Sequence, residues 1–156
     1  MIQRIQSVFL LLLALAMGSV LFLPIWHKAD PLTGQELTLS AFSLAFTGTN
    51  PHSDGSTWPI GALAAASAAL AVFEIFQYRN RFTQLKIGAV NMLCIVATIG
   101  AIFFYSTRGE ILLNVKLEGA YQAGFYLPTL ALLLNLLANR FIRADERLVR
   151  SMDRLR

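Results

Sequence analysis

This chain is short of charge. Asp, Glu, Lys and Arg make up 14% of its 156 residues, against about 25% in an ordinary soluble domain. A conventional solvated surface is therefore excluded for most of it. Cysteine is almost missing as well. The single Cys94 lies inside an apolar run, so no disulfide within the chain and no CxxC metal or redox motif can form. There is no phosphate-cradling glycine loop, no HExxH and no nucleophile–base pair. These absences weigh against a catalytic role and leave no cofactor to expect. His27 with Asp30, and His52 with Asp54, share one loop, but their spacing matches no established zinc site, and no metal is expected.

Apolar sequence is what the chain has in plenty, 56% of residues, gathered into four blocks. They cover about 5–25, 59–77, 85–105 and 120–139. About 20 helical residues cross roughly 30 Å of hydrocarbon, and each block is close to that length. The blocks lack the alternation of barrel strands, and in lipid only helices or closed barrels satisfy every backbone polar group. The expected fold is an all-α membrane protein, a four-transmembrane-helix bundle forming one domain over residues 1–156. The first block has a basic start at Arg4 and a small-residue Ala14–Leu15–Ala16 stretch, as signal peptides do. Its apolar run continues to Ile25, longer than a usual signal core, so a retained helix is expected. Pro59 suits a helix start, with Ser56 or Thr57 as the cap. Pro128, deep in the fourth block, predicts a kink.

Positive charge near helix ends stays on the cytoplasmic side. Arg4, Arg79, Arg81, Lys86 and six tail arginines stand on one side of a four-helix layout, and Lys28, Arg108 and Lys116 on the other. That asymmetry predicts cytoplasmic termini and outward-facing loops at 26–58 and 106–119. In the first loop PLTG signals a turn, ELTLSAFSLAF alternates like a strand, and TGTNPHSDGST reads as a flexible turn. In EILLNVKLE of the second loop, Ile111, Leu113, Val115 and Leu117 share one face of an extended chain. The two outward loops are therefore expected to form a small antiparallel β-sheet over the outer end. Trp26, Trp58, Tyr105 and Tyr121 fall at the outer boundary, where interfacial aromatics belong.

The tail, residues 140–156, reads as a continuation of the fourth helix. Phe141, Ala144, Leu148, Met152 and Leu155 form its apolar stripe. Arg140, Arg143, Arg147, Arg150, Arg154 and Arg156 mark it as a cytoplasmic topology determinant and a candidate contact for lipid headgroups or a partner. No aromatic interleaving accompanies this charge, so nucleic acid is not an expected partner. Inside the blocks, Glu74 is the only acid, and an intramembrane ionisable group is a functional candidate by default. Asn91, Asn135, Gln6 and Ser7 fall at comparable depths, so a polar layer on the cytoplasmic side is predicted. Its plainest role is interhelical hydrogen bonding. Gly61, Ala65 and Ala69, with Ala64 and Ala68, follow small-xxx-small spacing and predict close helix packing, within the chain or in a homo-oligomer.

The opening MIQRIQSVFLLL and the closing RADERLVRSMDRLR resemble the ends of the domain-of-unknown-function 4293 family, small integral membrane proteins of Gram-negative bacteria. The likeness implies an inner-membrane location and supplies no activity or ligand. The layout of one helix, a long strand-bearing loop and three more helices is also similar to that of claudins, without their paired loop cysteines. The resulting expectation is a non-catalytic inner-membrane scaffold or accessory subunit, with membrane lipids and a membrane-protein partner around it. The competing expectation is a small oligomeric transporter or channel that uses Glu74.

Overall fold

Pro24 sets the first boundary. A proline disfavours helical backbone at the residue before it, and α1 (Ile2–Val20) stops short of the predicted Ile25. The computed structural model describes residues 2–48, 52–77, 80–113 and 116–153. Past Val20 the chain unwinds through a turn, and the Ile25 N–H already donates to the Leu39 carbonyl at 2.8 Å.

The long first loop then forms four strands, β1 (Trp26–Asp30), β2 (Gln35–Leu39), β3 (Ser43–Gly48) and β4 (His52–Ser56). β1 and β2 pair from Trp26 opposite Leu39 to Asp30 opposite Gln35. The PLTG turn between them needs Gly34 at a φ of 66°, a backbone that glycine adopts without penalty. Asp30 closes the same turn by accepting from the Leu32 N–H at 2.9 Å and the Thr33 hydroxyl at 2.5 Å. Those bonds, the Thr33 hydroxyl first, hold its carboxyl below the ordinary value of 3.8. The expected strand over ELTLSAFSLAF is two strands, because Ser40 folds back on Ser43 through its hydroxyl at 3.0 Å. The segment read as a flexible turn contains β4, while residues 49–51 lie outside the described set.

The helical part continues with α2 (Trp58–Phe76), α3 (Arg81–Leu112) and α4 (Ala123–Asp153). Thr57 occupies the N-cap of α2, but its hydroxyl donates to the Ser40 carbonyl at 2.9 Å instead of capping. Asn80 does cap α3, accepting from the Thr83 N–H at 3.4 Å. α4 includes Pro128, where the sequence predicts a kink, and runs on into the tail, a continuation that the sequence predicts. The strand predicted in EILLNVKLE is not there: α3 continues through Ile111 to Leu112, Leu113 is its C-cap, and Val115 lies outside the described residues. The last turns of α3 find tertiary partners on the sheet, and that packing outweighs a two-residue periodicity. Among the described residues no strand falls in the second loop; β5 (Ala120–Tyr121) takes up the start of the predicted fourth block and completes the order β4-β3-β2-β1-β5.

The four helices pack in a ring. α1 lies against α2 and α4, and α3 closes the ring against both. Three of them, over Trp58–Phe76, Phe82–Leu112 and Ala123–Arg147, are long and apolar enough to cross a membrane, while Ile5–Val20 of α1 is a shorter apolar helix. The core runs from Leu13 and Met17 through Ile60, Ala64, Ile95 and Ile102 to Leu37 and Leu39 on the sheet. Trp26, expected at an interface, is 1% exposed and belongs to this core, whereas Trp58 is 64% exposed. Tyr121 and Phe125 stack at 4.3 Å and meet Phe103 edge-on, which ties β5 to α3 and α4.

Candidate functional site: a buried polar cluster

The buried stripe of α2 runs through Ile60, Gly61, Ala64, Ser67, Ala71 and Glu74. Steps of three and four residues keep one helical face toward the ring. Two members are polar, and Glu74 is fully buried. On α3 the matching stripe carries Gln84, Gly88 and Asn91, and on α4 Asn135 and Asn139. The α2 and α3 stripes meet twice. Gln84 Nε2 donates to the Glu74 carbonyl at 3.3 Å, and the Ser67 hydroxyl donates to Asn91 Oδ1 at 2.6 Å. The α3 and α4 stripes meet where Asn135 Nδ2 donates to the Gly88 carbonyl at 3.0 Å. Asn139 Nδ2 then donates to Asn135 Oδ1 at 3.2 Å. Gln6 on α1 is 5% exposed and Ser7 is half-buried.

Of the residues predicted to form a polar layer, Glu74, Asn91 and Asn135 thus lie on the buried, hydrogen-bonded stripes of α2, α3 and α4, and Gln6 and Ser7 lie on α1. Ser67, Gln84 and Asn139 lie on the same stripes and were not picked out from the sequence. Their positions carried the signal. Ser67 is two helical turns from Glu74, Gln84 is two turns from Asn91, and Asn139 is one turn from Asn135.

Several atoms of this cluster have no hydrogen-bond partner among the described residues. They are both Glu74 carboxylate oxygens, Asn91 Nδ2, Asn139 Oδ1 and Gln6 Nε2. Leaving a buried polar group unmatched costs about 1–3 kcal/mol, more when it is charged. Glycine at position 88 makes room for the amide: a methyl group there would strike Asn139 Oδ1. Gly88→Ala is therefore expected to destabilise the protein by about 1–3 kcal/mol, read as a lowered melting temperature in detergent.

The small-residue series divides. Gly61 is buried under the Phe42 ring, but Ala65 and Ala69 face away from the ring, and the inward positions are Ala64 and Ser67. Ala69 borders an apolar groove between α1 and α2 with Leu11, Leu15 and Phe73. Of the tail arginines, Arg140, Arg143 and Arg147 are exposed. Arg143 and Arg147 face Phe82 and Leu85 across a cleft that also holds Glu146. Arg154, Arg156 and the side chain of Arg150 lie outside the described residues. The buried stripe of α4 passes through Ile142, one position on from the predicted Phe141, and Phe141 stacks on Phe9 at 5.6 Å.

The sheet end holds a second concentration of polar chemistry. Lys28 is buried, and its ammonium pairs with the Glu110 carboxylate. The other oxygen of Glu110 accepts from the Gly119 N–H at 2.6 Å. One acid therefore joins β1, α3 and the segment entering β5. A cleft of about 400 Å³ opens between β4 and the end of α3, lined by Leu44, Tyr105, Ile111 and Leu112 and by the polar Ser56, Thr57 and Arg108. His27 Nε2 lies 3.4 Å from Glu36 Oε2 across the strands, and the Asp30 carboxylate is taken up by its turn, so the two do not act as a pair.

No curated protein matches the sequence. The domain of unknown function DUF4293 matches residues 2–155. Since that match spans nearly the whole chain, from α1 through the arginine-rich end of α4, the protein belongs to the DUF4293 family.

Proposed function

We propose that this protein is a non-catalytic accessory subunit of a larger assembly in the inner membrane of a bacterium, crossing the bilayer four times with both termini in the cytoplasm. Lys and Arg crowd the end bearing the termini, which supports the orientation. α1 supports the fourth crossing: its 19 residues extend about 28 Å, and it packs along two helices that are themselves long enough to span. The sheet then faces outward.

The observation that carries the accessory reading is the cleft between β4 and α3. Leu44, Tyr105 and Leu112 give it an apolar side, Ser56, Thr57 and Arg108 a polar one, and Ile111 in its wall is 72% exposed. Arg108 rests 5.6 Å over the Phe104 ring. Such a cleft fits an apolar anchor of a partner followed by a carboxylate. A photo-crosslinker at Ile111 in living cells is expected to capture one reproducible partner, and Arg108→Glu is expected to abolish that product. A wild-type protein that yields no crosslink and purifies alone in mild detergent counts against the reading.

A second reading, a small transporter, is favoured by the unmatched Glu74 carboxylate in the bundle interior. It requires Glu74→Gln to abolish cation flux in proteoliposomes. Toward the sheet, the buried ring residues include Met17, Ile60, Ala64, Ile95 and Ile102, and the buried Thr98 and Ser106 bond back to carbonyls of their own helix. A complete path through one chain would have to pass this mostly apolar half, which leaves the accessory reading ahead.

A further inference from the structure

The amides around Gly88 are not free to point either way. The Gly88 carbonyl can only accept, so the atom of Asn135 facing it must be the NH2 group. The Asn135 oxygen is thereby turned toward Asn139 and needs a donor, which makes the atom facing it the Asn139 NH2. The Asn139 oxygen is then locked on the opposite side, against Gly88, with no partner among the described residues. Asn91 is different. Its partner is the Ser67 hydroxyl, which donates or accepts equally well, so the Asn91 amide can present either its nitrogen or its oxygen to the interior.

These groups lie on the buried stripes of three helices of the ring. Side chains lean toward the N-terminus of their helix. On α2 and α4 that is toward the sheet end, and on α3 toward the end bearing the termini. The Gln84 bond sets the Glu74 backbone about one turn below Gly88, and the carboxylate leans up in the direction of Gly88. Asn139 leans the same way from α4, and Asn91, about one turn above Gly88, leans down. Two carboxylate oxygens, one locked amide oxygen and one reversible amide are thereby directed toward the same stretch of the interior, where Gly88 has no side chain. A lone carboxylate charge in such surroundings needs a proton or a cation to offset it. One acid with neutral amides suits a single positive charge, whereas hard divalent ions gather more oxygen ligands, and more carboxylates, than this.

We propose that Glu74, Asn91 and Asn139 form a binding site for a small monovalent cation, hydronium or sodium, opening toward the cytoplasmic side. Gln6, Gln84 and Asn139 lie toward that end, each slightly exposed, while the opposite half is mostly apolar, with Thr98 and Ser106 bonded back to α3. Among the side chains the structure describes, the other charged groups of that end are Lys86 on α3 and Arg140, Arg143, Asp145, Glu146 and Arg147 on α4. All are exposed or half-buried, and Glu74 is the one fully buried acid among the described residues. The site rests on the buried carboxylate that also motivates the transporter reading, but it requires only binding, not flux.

Carbodiimide labelling tests it on the full-length protein in detergent. Dicyclohexylcarbodiimide reacts with protonated carboxyls in apolar surroundings, and peptide mass mapping locates the adduct. Labelling at Glu74 is expected, and Glu74→Gln is expected to remove it. If the ion is sodium, replacing choline with sodium at ten times its dissociation constant protects the residue about tenfold. If it is hydronium, sodium has no effect and labelling falls as pH rises. Wild-type protein that is unlabelled at Glu74 at every pH, or labelled equally whatever the sodium and pH, overturns the proposal. Labelling that responds as expected in a protein with no proteoliposome flux removes the transporter reading and leaves the site standing.

Discussion

Glu110→Ala is expected to lower stability by about 3 kcal/mol, because it leaves the Lys28 ammonium buried without its counter-charge. The Lys28 side chain is 2% exposed and that of Glu110 36%, and the partial exposure of the acid keeps the figure at the lower end for a broken buried pair. The alanine also removes the acceptor of the Gly119 N–H. For a chain of this length about 3 kcal/mol corresponds to a melting temperature lower by about 6–12 °C. Adding Lys28→Met to Glu110→Ala is expected to recover much of the loss, since an apolar side chain needs no partner there. Thermal melts of the two variants in detergent check both statements. A double variant no more stable than Glu110→Ala would show that the Gly119 bond, and not the stranded lysine, dominates.

Trp26→Ala is expected to cost about 3–5 kcal/mol. The ring is wedged between two glycines. A methyl group on Gly109 would come within 2.7 Å of it, and one on Gly119 would overlap it outright. Gly119→Ala alone is expected to cost about 1–3 kcal/mol through overpacking. In the Trp26→Ala background the same glycine substitution is expected to be nearly neutral, because the atoms it strikes are gone. Additive effects in this double-mutant cycle would contradict the wedge.

Sequence periodicity located the helices because apolar runs near bilayer length have few alternative structures in lipid. It misplaced their ends where a tertiary contact or a single proline decided them. Pro24 cut α1 short, and the sheet drew α3 on to Leu112. EILLNVKLE satisfied a strand pattern, yet its first residues are helical, since Glu110 finds Lys28 only from the helix. Trp26 read as an interfacial aromatic because its position in the chain suited one. What buries it is the pair Gly109 and Gly119, which are distant from it in sequence. The polar layer was legible in part. Glu74 and Asn91 stand out in apolar sequence, but Asn139 sits at the border of the basic tail and reads as its beginning. Only the bond to Asn135 brings it inside.

The sheet also governs how the helices can move. α1 runs into β1, β4 runs into α2, and β5 leads into α4, while the end of α3 is clamped through Glu110. All four shafts are riveted together at that face. At the opposite face the chain joins α2 to α3 between Gln77 and Asn80, and side chains supply the other links described there, such as Gln84 to the Glu74 carbonyl, Asn135 to Gly88 and Phe9 to Phe141. The bundle is built like tongs with the pivot at the sheet. Splaying of the tips would widen the surroundings of Glu74 and leave the strand ladder untouched.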